Sequence, residues 1–153
     1  MKKLFKLTTL LLLVTMAFNL IACTSYFKVK NTLENIGYDI IKNQESDASN
    51  QAKDDERVAN VYVFTNKDSL SGLELLNTTI VTVIEFKSFN ELVEYYKESA
   101  TIQGIVADIE KDVTAEEVYY QLKRAGLVCG NCIIIPIGLD YNNVLNAIKE
   151  LNN

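Results

Sequence analysis

Two thiols spaced as CxxC, Cys129 and Cys132, are the residues whose type and spacing most directly suggest chemistry. A redox centre of this kind needs a helix N-terminus after it, because the helix dipole lowers the leading thiol's pKa. Here Ile133-Ile134-Ile135-Pro136 follows, a β-type run, and no tryptophan or histidine accompanies the pair. A tetrahedral zinc site needs four ligands, and one CxxC supplies two. The chain has no histidine, so carboxylates or a second chain would have to complete such a site, and no metal is expected. The third reading is structural. Gly130-Asn131 forms a two-residue hairpin loop with glycine first, which suits a type II′ turn. The cysteines would then face each other at about 4.5–5.5 Å between Cα atoms, within disulfide range. Closing so small a loop contributes under ~2 kcal/mol. The pair is expected to lock a hairpin, as a disulfide or as buried thiols, with a thiol–disulfide redox site as the alternative.

Absences bound the rest. Without histidine there is no Ser-His-Asp or Cys-His catalysis and no His-ligated zinc or haem. The six glycines form no phosphate-binding loop. Asp54-Asp55-Glu56 lacks the alternating spacing of a calcium loop and reads as a solvated charge run. Tyr95-Tyr96 and Tyr119-Tyr120 sit on successive helices; each pair is expected to put one ring toward the sheet and one toward solvent. No catalytic residue and no cofactor are assigned, and a binding or structural module is favoured over an enzyme.

The third cysteine has a different setting. Lys2, Lys3 and Lys6 make a positive start, and residues 7–22 are apolar except for three threonines and Asn19. Sixteen helical residues reach roughly 24 Å, short of the ~30 Å needed to span a membrane. This is signal-peptide length. The run Leu20-Ile21-Ala22-Cys23 resembles the lipobox of bacterial lipoproteins at all four positions. The resemblance implies cleavage before Cys23, a diacylglyceryl thioether on its sulfur, and attachment to the extracytoplasmic face of the cell membrane. Removing residues 1–22 takes three lysines and no acid, so the net charge moves from −5 to −8. That balance argues against nucleic acid or anionic lipid headgroups as partners.

The expected organisation is a signal peptide over 1–22, a lipid-anchored tether over 23–30, and one domain over 31–153 with a polar insertion at 43–57. The insertion holds no apolar residue larger than alanine and is expected to stay solvated. Asn31 to Glu34 looks like a capping box for a short helix ending at Gly37, and residues 38–42 read as a strand. Val58–Thr65 and Thr79–Lys87 read as strands; residues 68–77 read as a short helix or connection, and 105–109 as a candidate strand. Capping boxes at Ser88 and Thr114 open helices, the second ending at Gly126. Residues 127–138 read as extended, with Pro136 at an edge or strand end, and Asp140 caps a last helix.

The fold class is α+β, a small mainly antiparallel sheet with helices on one face; the alternative is an α/β, thioredoxin-like parallel sheet. Leu33 to Tyr38, Val83 to Phe86, Tyr95-Tyr96 and Gly130 to Ile134 with Gly138 resemble segments of small lipoproteins of Gram-positive bacteria and their wall-less relatives. That resemblance implies the same fold and no catalytic residue. Three functions remain: a non-catalytic module that binds an envelope protein or small ligand, a redox protein using Cys129 and Cys132, or a solute-binding component.

Overall fold

The computed structural model describes residues 25–41, 52–66, 78–105, 110 and 112–153. The order is helix α1 (25–35), strands β1 (Asp39–Ile40), β2 (Val58–Thr65) and β3 (Ile80–Phe86), then α2 (Phe89–Glu98), α3 (Ala100–Ile105) and α4 (Ala115–Ala125). Strands β4 (Val128–Cys129) and β5 (Cys132–Ile137) follow, and α5 (Tyr141–Leu151) closes the chain. The strands form one sheet in the order β1-β2-β3-β5-β4. Each neighbouring pair is antiparallel. The α+β class therefore holds, and the parallel alternative does not.

The cover of the sheet corrects an expectation. Helices pack on both faces, because β3 is apolar on both. Val81 and Val83 point to the face that Val29 and Leu33 of α1 cover, with Val144 and Ile148 of α5. Ile84 and Phe86 point to the opposite face, under Leu92, Val93 and Tyr96 of α2 and Val118 and Leu122 of α4. α1 already runs at residue 25, so Asn31 lies inside it and caps nothing. Residues 25–30, expected as tether, belong to the domain, since Val29 is fully buried.

Local signals act where expected at most other ends. The Ser88 hydroxyl accepts from the Glu91 N–H at the start of α2, and Thr114 does the same for Glu117 in α4. Gly126 closes α4 at φ 80°. Asp140 differs: its side chain caps no N–H of α5 and instead accepts from the Tyr38 hydroxyl at 2.9 Å. Pro136 faces Val81 on β3, and β4 reaches only Cys132 and Ile133, so the outer side of β5 is unpaired at the proline. Both rings of Tyr95-Tyr96 are buried rather than one, because α2 packs on the sheet and the Arg57 guanidinium, from the segment before β2, lies over the Tyr95 ring. Tyr119-Tyr120 divides as expected, with Tyr120 exposed. Part of the polar insertion is built in: Ala52 is fully buried. Asp55 accepts from Arg57 Nε and NH2 at 2.9 and 2.7 Å, and Glu98 pairs with the same guanidinium at 2.8 Å. The expectations for the rest of that insertion and for 68–77 lie outside the described residues; of the candidate strand at 105–109, Ile105 is instead the last residue of α3 and the rest lies outside them too.

Candidate functional site

The cysteine pair lies at the end of one straight row of side chains across the sheet. Asn60 on β2 faces Glu85 on β3, Glu85 faces Cys132 on β5, and Cys132 faces Cys129 on β4. Facing residues in an antiparallel sheet share a face, so the four point together toward α1. The sequence put Gly130-Asn131 at a hairpin tip, and the structure agrees, with Gly130 at φ 56°. The tip is clamped on three sides. Tyr119 of α4 donates to the Gly130 carbonyl at 2.9 Å. The Phe86 N–H donates to the Asn131 carbonyl at 2.9 Å, and the Asn131 amide returns a bond to the Phe86 carbonyl. On the third side a Cβ at position 130 would lie 2.0 Å from Ser25 Oγ of α1.

Above the row, Tyr26 of α1 stacks on Tyr62 of β2 with centroids 3.9 Å apart. Glu85 is 7 % exposed, yet it is not left bare: Asn60 Nδ2 donates to it at 2.9 Å and the Tyr62 hydroxyl lies 3.5 Å away. A buried carboxylate is tolerated only when hydrogen-bonded in this way. The sequence reading placed Glu85 within the strand Thr79–Lys87 and gave it no role.

Both cysteines are free and buried, so the expected pair is present as thiols rather than as a disulfide. Burial pushes the Cys129 thiol up, against a smaller downward pull from Lys28 and Lys123. Burial pushes Cys132 up much further, and the Glu85 carboxylate adds to it. These shifts run opposite to those of a reactive thiol, which needs its thiolate favoured. A strand, not a helix N-terminus, follows Cys132. The row therefore holds two protonated thiols beside a hydrogen-bonded carboxylate, a chemistry suited to sealing the sheet under α1. No group of metal-ligating side chains forms among the described residues. Cys23, the expected lipidation site, lies outside the described residues.

A second concave feature was not foreseen. The last turns of α4 and α5 meet in a groove of about 310 Å³ lined by Tyr120, Lys123, Arg124, Lys149, Asn152 and Asn153. No protein-family model, curated protein or solved structure matches this chain.

Proposed function

We propose that this chain is a lipoprotein anchored through Cys23 to the extracytoplasmic face of the cell membrane, its domain a non-catalytic binding or envelope-interaction module. The observation that carries the reading is the distance between lipobox and domain: helix α1 is already formed at residue 25. Two residues reach at most ~7 Å, so an acylated Cys23 would hold the domain against the bilayer surface. Phe27, half exposed in the first turn of α1, suits that interface, where aromatic rings are favoured. The sealed, protonated cysteine row supports a module over a thiol enzyme.

The test is metabolic labelling of the full chain with radioactive palmitate. Label on the wild type that is absent from Cys23→Ala supports the anchor; label retained by Cys23→Ala refutes it. The facing register of Cys129 and Cys132 is the observation that favours a redox protein. Catalysed reduction of insulin, lost in Cys129→Ser, would establish that second reading.

A further inference from the structure

The groove between the ends of α4 and α5 gathers three cations on a chain of net negative charge. Lys123 and Arg124 come from the last turn of α4, and Lys149 from the last turn of α5. Gly126 brings them together: its Cα comes so close to α5 that a Cβ there would lie 2.3 Å from the Leu145 carbonyl oxygen and 3.1 Å from Lys149 Cγ. Among the described residues no Asp or Glu side chain lines the groove. Among the described residues none of the three cations is in an ion pair. Part of this arrangement answers the helix dipoles, since cations are favoured where helices end. That accounts for each cation singly. It does not account for three converging on one concavity with amides of Asn152 and Asn153 beside them. Arg124 lies over the Tyr120 ring at 5.9 Å, which holds a guanidinium at the rim, ready for a two-pronged hydrogen bond.

We propose that this groove binds a phosphate-bearing anion. Arg124 would grip two phosphate oxygens, Lys123 and Lys149 would neutralise the remaining charge, and the asparagine amides would donate to what the phosphate carries. The size suits a phosphate with a small polar substituent better than a large ligand. The proposal does not rest on the lipid anchor. Two sources supply the chemistry, an anionic lipid headgroup or a free phosphate ester.

The experiment uses the full chain, isotope-labelled, in non-ionic detergent micelles. Inorganic phosphate and short-chain phosphatidylglycerol are titrated separately, each against sodium chloride of equal ionic strength. Saturable NMR shifts confined to residues 120–126 and 149–153 are expected. Arg124→Gln with Lys149→Gln should weaken binding at least about tenfold, the loss of one charge-assisted hydrogen bond. Lys30→Gln with Lys97→Gln, which removes equal charge elsewhere, should not. Tighter binding of phosphatidylglycerol assigns the lipid source, and tighter binding of inorganic phosphate assigns the soluble one. Equal shifts with chloride, shifts kept by the groove variant, or equal loss in the control variant would overturn the proposal.

Discussion

Replacing Gly126 with alanine separates two reasons for a glycine, and the structure supplies the control. Gly126 and Gly37 take nearly the same left-handed conformation, φ 80° and 87°. An added Cβ at Gly37 meets nothing within 4 Å among the described residues, whereas at Gly126 it meets the Leu145 carbonyl oxygen at 2.3 Å. Alanine in that conformation costs about 1–2 kcal/mol. The stiffer unfolded chain offsets ~0.4–1 kcal/mol of it. Gly37→Ala should therefore cost about 1 kcal/mol. At Gly126 the obstacle is backbone inside a packed helix, so α5 must shift. Overpacking of this kind adds ~1–3 kcal/mol, for a total of about 2–4 kcal/mol. The assay is urea unfolding of each full-length variant in non-ionic detergent, followed by far-ultraviolet circular dichroism. With a slope of about 2 kcal/mol per molar, the midpoint should fall by ~1–2 M for Gly126→Ala and by ~0.5 M for Gly37→Ala. Equal midpoints would show that α4 and α5 do not meet as described.

Other residues give opposite expectations for similar substitutions. Among the described residues the buried Tyr96 hydroxyl has no hydrogen-bond partner, so Tyr96→Phe should stabilise by about 1 kcal/mol in the same unfolding assay. Tyr38→Phe should destabilise by a similar ~1 kcal/mol, because it removes the Tyr38 hydroxyl from Asp140 and leaves that carboxylate the longer bond from Asn143 Nδ2 at 3.2 Å. Burial first and the Asp140 bond second hold the Tyr38 hydroxyl up to about 12. Its neutral form is the folded one, so its contribution to stability is whole below the ordinary tyrosine pKa of about 10 and is lost as pH rises toward 12. Unfolding midpoints between those values should fall less steeply in Tyr38→Phe than in the wild type. Glu85→Gln keeps an acceptor for Asn60 and should cost under ~1 kcal/mol, whereas Glu85→Ala removes that acceptor and empties the place of a buried side chain beside Cys132, and should cost about 2 kcal/mol. A thiol reagent should modify Cys129 and Cys132 slowly in the native chain and rapidly in guanidinium; fast native reaction at neutral pH would contradict their burial.

Most elements were legible because their signals are local. Ser88, Thr114 and Gly126 act through hydrogen bonds within a turn of themselves, and β3 is a seven-residue run rich in β-branched side chains. The hairpin was legible for the same reason, since Gly130-Asn131 determines which residues face each other. What failed to be legible depends on distant partners. Asn31 and Glu34 fit a capping box, but Val29 and Leu33 share a helical face that only the apolar row Val81, Val83 and Ile134 makes useful. The two-sided apolarity of β3 was the available signal that one layer of helices would not suffice. Asp140 fits a cap, yet the fully buried Tyr38 needs an acceptor more than the exposed end of α5 does. The redox state of the cysteines was not in the spacing, because a facing pair satisfies the geometry of both forms.

Net charge leaves local arrangement out for a related reason. A chain at −5 overall reads as unwelcoming to anions, but attraction is decided within about one Debye length, ~8–10 Å. Lys123 and Arg124 stand 26 and 25 positions from Lys149, and nothing in the charge sequence joins them. Gly126 joins them, and its sequence reading as a helix stop captured only half its use. A residue without a side chain both turns the backbone and lets two helix ends touch, so one position sets the fold and the electrostatics of the groove. Gly126→Ala should therefore lose more than stability. In conditions where the variant remains folded, α5 displaced from α4 should carry Lys149 away from Arg124, and phosphate-induced shifts should weaken together with the unfolding midpoint. Gly37→Ala should lower the midpoint alone. A variant at Gly126 that lost stability but kept the full phosphate response would uncouple the two and leave the close approach a packing device only.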